Sequence, residues 1–283
     1  IHAATMVTAG IFMVARMSPL FEYSETALSL VLVIGATTAV FAGLLGIVQH
    51  DIKRVIAYST VSQLGYMTVA LGASAYSAGI FHLATHAFFK ALLFLAAGSV
   101  IIALHHEQDI RKMGGLRKYM PITYWTSLIG TLALVGFPGF SGFFSKDVLI
   151  EAVHASVAAG AHYAYWCLLL GVFITGLYSF RMFFLVYHGE DRTGFPAKHI
   201  PKESSAVVTA PLIILAVFSV IIGWLAIGPL LFENFFSDSL RVLDHHNVLR
   251  TVGAEFHGSG TFIVHSVMTS PVVYLASAGS LVA

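Results

Sequence analysis

From Leu28 to Val48 the chain reads "LSLVLVIGATTAVFAGLLGIV", without one charged side chain. Wound as a helix, about 20 such residues match the roughly 30 Å hydrocarbon core of a bilayer. Comparable runs recur, and the candidate spans are Ile1–Met17, Leu28–Val48, Val55–Ala73, Ala78–Leu104, Pro121–Phe137, Gly142–Tyr187, Val207–Phe232 and Thr261–Ala283. Inside lipid every backbone N–H and C=O must be paired within the protein, so only helices and closed barrels span. Runs of this length are helical. Composition agrees, because 57% of the 283 residues are hydrophobic and 10% are charged, against about 25% charged in a soluble domain. The expected fold is all-α, a polytopic membrane helix bundle.

Gly142–Tyr187 is too long for one simple span, and it contains Lys146 and the stretch "HASVAAGAH". It reads as a discontinuous transmembrane helix: a half-helix around Ser141–Val153, a loop, then Tyr163–Tyr187. Non-helical backbone at membrane depth is tolerated only beside protein or a water-filled cavity, and such breaks mark the working sites of transporters. Loop charges set the orientation. One side holds Lys53, Arg54, Arg111, Lys112, Arg117, Lys118, Arg181, Arg192, Lys198 and Lys202, and the other holds Arg16, Arg241 and Arg250. The first side is therefore cytoplasmic, or matrix-facing in a mitochondrion. Lys90 and Lys146 stay at membrane depth.

Several function classes fall away. The net charge is +1, and no basic patch interleaved with aromatics invites nucleic acid. The single cysteine, Cys167, excludes an intrachain disulfide or a CxxC site. No GxGxxG, P-loop, HExxH or nucleophile elbow occurs, so neither a nucleotide site nor a hydrolase is indicated. "HHEQD" at His105–Asp109 looks like a metal site only superficially, because adjacent histidines point to different helix faces. The opening "IHAATMVTAG" lacks both an initiating Met and the basic region of a signal peptide. It reads as a chain cut at its front, and the apolar ending reads as a cut at the back.

Ionisable groups inside the apolar runs are the features that call for a function. "HLATHAFFK" places His82, His86 and Lys90 four residues apart. On a helix they drift only about 80° and climb about 12 Å, forming a ladder on one face. A lysine at a helix centre costs about 2.5–3.5 kcal/mol even on the lenient insertion scale. Three ionisable groups on one stripe therefore suggest a proton relay. The plainer alternative is that the histidines bond to neighbouring carbonyls while Lys90 snorkels to an interface. In "GFPGFSGFFSKD", Pro138 and the glycines break the backbone just before Lys146 and Asp147. Lys146 is a candidate terminal proton carrier; a solvated Lys–Asp pair on a surface turn is the alternative. In "DIKRVIAYSTVSQLGYM", Lys53 is either an interfacial anchor or an inward lead for protons, and Ser59, Ser62 and Gln63 line an adjacent helix.

These segments, with "IHAATMVTAG" and "HHEQDIRKMGGLRKYMP", resemble the antiporter-like membrane subunits of respiratory complex I, NADH:quinone oxidoreductase. The pattern is nearest the largest of those subunits. The likeness is strong over residues 1–189 and weak beyond. It implies an antiporter-like repeat with a discontinuous helix over residues 1–187, followed by C-terminal helices and loops over 188–283 without a lateral helix. It implies that Lys53, His82, His86 and Lys90 form a central relay, with Lys146 as the terminal lysine, Asp147 beside it and His2 on the second half of the first broken helix. The resemblance further implies no cofactor in this chain. FMN, iron–sulfur clusters and quinone would belong to partner subunits, chiefly reached through the neighbouring antiporter-like subunit and the rest of the membrane arm. A subunit of an Mrp-type cation/proton antiporter is the alternative, and a membrane anchor without a proton path is the plainest one.

Overall fold

A computed structural model describes residues 6–194, 201–236, 239–254 and 256–283. His2 and Lys198 lie outside the described residues. The helices are α1 (Ala9–Arg16), α2 (Ser18–Phe21), α3 (Glu25–Val48), α4 (Ile52–Gly72), α5 (Tyr76–Ala103), α6 (Pro121–Val135), α7 (Ser141–His154), α8 (Ala161–Tyr187), α9 (Ala206–Ile227), α10 (Val248–Ala254), α11 (Ser259–Thr269) and α12 (Pro271–Val282). Helices α3, α5 and α8, and α9 with its continuation to Phe232, are each long and apolar enough to cross a bilayer. Helix α4 has the length but carries a polar stripe. Among the described residues the extended pairing is an isolated bridge between Asp51 and Asp109.

The basic loops gather at one face. Asp51 caps α4 by accepting from the amides of Lys53 (2.8 Å) and Arg54 (3.2 Å), satisfying N–H groups that a helix start leaves free. The neighbouring His50 carbonyl accepts from the Ile110 amide at 2.8 Å, so the turn after α5 is stitched to the turn after α3. Arg181, near the end of α8, donates to the Gln49 carbonyl at 3.0 Å, and Arg192 donates to the Arg111 carbonyl at 3.0 Å. Toward the opposite end, Tyr163 at the start of α8 meets Thr37, at the middle of α3, at 3.0 Å.

These ties settle how the middle of the chain crosses. α6 starts at the basic face and α8 starts at the other, so α6 and α7 together make one crossing. Their 15 and 14 residues rise only about 22 and 21 Å, and neither spans alone. The discontinuous helix is therefore α6–α7, broken at residues 136–140. This corrects the sequence-based expectation of a break between Val153 and Tyr163, since α8 is a full span by itself. The physical reason is local. Gly136 (φ 88°) and Gly139 (φ 91°) adopt left-handed conformations that end the helix, and Pro138 between them has no N–H to offer. Residues 155–160 are instead a connector at the opposite face. The loop alternation is unchanged, so the charge asymmetry still orients the chain.

The last apolar run also departs from a straight span. It bends by 67° between α11 and α12, where Pro271 takes the first helical position and cannot donate a backbone bond.

Packing follows from small residues. A Cβ on Gly65 of α4 would lie 2.6 Å from the Ala39 nitrogen of α3, and one on Gly72 would lie 2.5 Å from the Leu32 nitrogen. The two backbones touch, as membrane helices do when small residues meet. Helix α9 shows the lipid-facing pattern: Leu212, Ala216, Ser219, Gly223 and Ile227 form its buried stripe, while Ile213, Ile214, Val217 and Leu225 are exposed.

Candidate functional site

The polar interior is built where α4, α5 and α7 meet. His82, His86 and Lys90 of α5 and Lys146 and Asp147 of α7 have no exposed surface, and Ser59, Gln63, Thr85 and Ser145 are buried with them. Helical spacing brings the α5 groups to one face, as their four-residue interval requires, and Gly79 and Ala97 flank them as small buried residues.

His82 is held from two sides. Its Nδ1 lies 2.8 Å from the Ser145 hydroxyl on α7, and its Nε2 lies 3.1 Å from Gln63 Oε1 on α4. With that carbonyl oxygen as acceptor, Nε2 carries the proton and Nδ1 accepts from Ser145. Thr85 meets the same Ser145 hydroxyl at 2.8 Å. One turn on, the His86 ring centroid is 6.1 Å from that of His82 and 5.3 Å from Phe89, which meets it edge-on. Phe89 thus packs against the ladder. Neither ring nitrogen of His86 has a protein partner among the described residues. A buried imidazole in that state has hydrogen-bonding capacity directed into the site.

Lys90 reaches across to α4. Its ammonium donates to the Ser59 hydroxyl and, at 3.3 Å, to the Ile56 carbonyl. Ser59 in turn donates to the Ile56 carbonyl at 2.9 Å. Snorkelling to an interface is therefore not what this lysine does.

Lys146 occupies the other end, and the helix break creates its seat. Nζ donates to the carbonyls of Leu134 (2.8 Å) and Val135 (3.4 Å), in the last turn of α6. Such carbonyls have no intrahelical partner and form the negative end of the helix dipole. The ammonium also lies 5.5 Å from the centroid of the Tyr66 ring. Gly142 makes the approach possible, because a Cβ there would sit 1.8 Å from the Ala133 carbonyl oxygen. Asp147, about 100° further round α7, faces away from this seat and accepts from the Ser270 hydroxyl at 2.6 Å. A solvated surface pair is excluded for both residues.

Polar residues on one stripe of α4 face both lysines. Ser59, Gln63 and Tyr66 follow at intervals of four and three, contacting Lys90, His82 and Lys146 in turn. Lys53 does not join this set; it is exposed at the start of α4, beside the Asp51 cap. Ser145, Thr85, Tyr66 and Ser270 escaped the sequence-based selection. Ser145 had a signal, its place next to Lys146. Tyr66 continues the α4 stripe by helical spacing from Gln63.

At the basic face the His105–Asp109 segment locks a turn. Glu107 accepts from the Gln108 and Asp109 amides at 2.9 Å each and pairs with Lys112 at 3.2 Å. The hydrogen-bonded Arg111 guanidinium holds the Asp109 carboxyl down at about 2.

Comparison with known proteins places this geometry. The chain is 57% identical over 298 aligned residues to NADH-quinone oxidoreductase subunit L of Neisseria meningitidis serogroup A, covering 99% of this chain and 44% of that protein. It is 45% identical to NADH-ubiquinone oxidoreductase chain 5 of Marchantia polymorpha, over 97% of this chain and 43% of that one. The subunit L of Rhodobacter capsulatus is 52% identical, over 85% and 34%. The chain thus spans less than half the length of these relatives. Among solved structures, the Mrp complex from Dietzia sp. DQ12-45-1b shares the fold at a TM-score of 0.75 and 24% identity, covering 99% of this chain and 30% of that chain. A family model described as NADH:quinone oxidoreductase/Mrp antiporter, transmembrane, matches residues 1–178, the segment that holds the whole α4–α5–α7 polar interior, and the chain belongs to that family.

Proposed function

We propose that this chain is part of a proton-translocating membrane-arm subunit of an NADH:quinone oxidoreductase in a bacterial or mitochondrial inner membrane. Protons would move along buried Lys90, His86, His82 and Lys146, driven by redox chemistry in other subunits. The observation that carries this reading is the shared placement of the set: fully buried Lys90 and Lys146 both reach α4, Lys90 at Ser59 and Lys146 over Tyr66, and buried His82 bonds Gln63 of α4 and Ser145 of α7. Ionisable groups at this depth are expensive and mark ion pathways. FMN, iron–sulfur clusters and quinone belong in this reading to partner subunits, and this chain meets the neighbouring antiporter-like subunit and the bilayer. Lys53, exposed at the basic face, would feed protons inward only with help from groups beyond the contacts described above.

An Mrp-type cation/proton antiporter subunit is the second reading, favoured by the shared fold with the Mrp complex. The identities of 45–57% to oxidoreductase relatives weigh more than 24% to the antiporter. Purifying the full-length protein with its native partners separates the two, because iron–sulfur signals in the isolated assembly support the oxidoreductase and their absence supports the antiporter. In the assembled complex, Lys90→Ala is expected to cut proton pumping in proteoliposomes by an order of magnitude or more while the complex still forms. Unchanged pumping would overturn the relay. Lys146→Ala is expected to act comparably, and normal coupled turnover would remove it from the path.

A further inference from the structure

The matched family segment ends at residue 178, yet the site draws on a residue far beyond it. Ser270 stands at the bend between α11 and α12, 5% exposed. Its hydroxyl has two partners. The Val272 amide donates to it at 3.3 Å, as in an ordinary helix cap, and the Asp147 carboxyl lies 2.6 Å away. An amide N–H only donates, so it occupies a lone pair of the hydroxyl, and the hydroxyl proton is committed to Asp147 Oδ1. That leaves Oδ2, which is buried and has no protein partner among the described residues. Ser270 thus fills one oxygen, while Ser266 and His265 of α11 also face the carboxyl, Ser266 with a buried hydroxyl that has no hydrogen bond among the described residues.

The bend is firmly seated. Phe262 of α11 packs against Phe143 and Phe144 of α7, with ring centroids 5.8 and 6.2 Å away. Trp224 of α9 joins Phe144 at 5.3 Å and donates to the Gly139 carbonyl in the helix break at 3.0 Å. Ser259 at the start of α11 donates to the Trp224 carbonyl at 3.1 Å. The aromatic cluster thus fixes α11 to the first turn of α7, and Ser270 arrives at Asp147 as a consequence. Pro271 places the first turn of α12 behind the hydroxyl, where the positive end of the helix favours a carboxylate.

We infer that Ser270 is a positioning residue for Asp147: it caps Oδ1 and orients Oδ2 as the oxygen that takes up and gives back a proton. This inference rests on the proton-carrying reading of the site and adds to it a second limb, on the α11–α12 side of α7, about 100° round the helix from the Lys146 seat. Asp147 works there as a carboxyl beside a lysine that faces the other way, so the two need not form a closed ion pair.

The test uses the full-length protein in its assembled complex, comparing wild type with Ser270→Ala, Ser270→Thr and Asp147→Asn. Infrared difference spectra first identify the Asp147 carboxyl band as the one lost in Asp147→Asn. Removing the hydroxyl donor in Ser270→Ala is expected to shift that band to higher frequency and to lower pumping per electron transferred several-fold. Ser270→Thr, which keeps the hydroxyl, is expected to restore both. An unmoved band in Ser270→Ala overturns the inference. So does a Thr variant as defective as Ala with a normal band, which would make the role one of packing. Failure of the wider reading looks different, because Lys90→Ala would then pump normally while the Ser270→Ala band shift persisted.

Discussion

Gly142 and Lys146 depend on each other at the scale of single residues. The ammonium reaches the Leu134 carbonyl only because the first turn of α7 lies against the last turn of α6, and Gly142 is where they touch. Gly142→Ala places a methyl into the Ala133 carbonyl, so the backbone must move. The expected cost is about 1–3 kcal/mol, typical of overpacking, seen as a lower thermal midpoint in detergent together with reduced pumping. A variant with wild-type stability and pumping would show that the contact is slack. The five buried ionisable residues of α5 and α7 were legible in the sequence because charge in an apolar run stands out. Ser270 was not, since serine is unremarkable in a membrane helix, and even for Ser145, marked by its place next to Lys146, only the fold shows that the hydroxyl meets an imidazole. Lys53 and Lys90 look alike on paper, yet one is exposed and the other sealed. Distance from the membrane surface, which sequence spacing measures only crudely, makes that difference.

Among elements, the short α2 is held by a carboxylate latch. Glu22, at its end, accepts from Tyr76 (2.9 Å) on α5 and from the Leu243 amide (2.9 Å), and His246 Nδ1 lies 3.1 Å away. Burial disfavours the charge, but the Leu243 amide and the Ser74, Tyr76 and His246 side chains outweigh it, leaving the carboxyl below its ordinary value. A depressed carboxyl stabilises the fold fully above the ordinary glutamate range near 4.3 and loses that contribution as pH falls through the lower folded value. Glu22→Gln is therefore expected to cost about 1–3 kcal/mol at neutral pH. Its thermal midpoint should approach that of wild type on acidification, and curves that stay parallel down to acid pH would remove the latch. Element identity was largely readable from apolar length, whereas the α6–α7 break was misplaced. A run of apolar residues reports how much chain sits in the membrane but not at which depth it turns. The left-handed Gly136 and Gly139 decide that.

For the whole molecule, the asymmetry of charge and the tertiary ties make the same claim about which end faces which compartment. Loops at 49–51, 104–120 and 188–192 are joined to one another by backbone and arginine bonds. Their lysines and arginines put that face on the cytoplasmic or matrix side. The segment with Arg241 and Arg250 lies at the other end, where Arg16 donates to the Ser239 carbonyl at 3.0 Å. Cys167 is the one cysteine of these 283 residues, so the test uses a background in which Cys167 and any cysteine elsewhere in the full-length subunit are replaced by serine. Lys118→Cys and Arg250→Cys are introduced one at a time into the full-length protein in sealed inner-membrane vesicles. An impermeant maleimide should modify Lys118→Cys only in inside-out vesicles and Arg250→Cys only in right-side-out ones. The outcome depends on α6 and α7 counting as a single crossing. Were each a complete span, residue 118 and the end of α8 would fall on opposite sides, and Arg181 near that end could not reach Gln49. Labelling of both positions from one side would therefore refute the crossing pattern, and with it the depth at which Lys146 meets the broken end of α6.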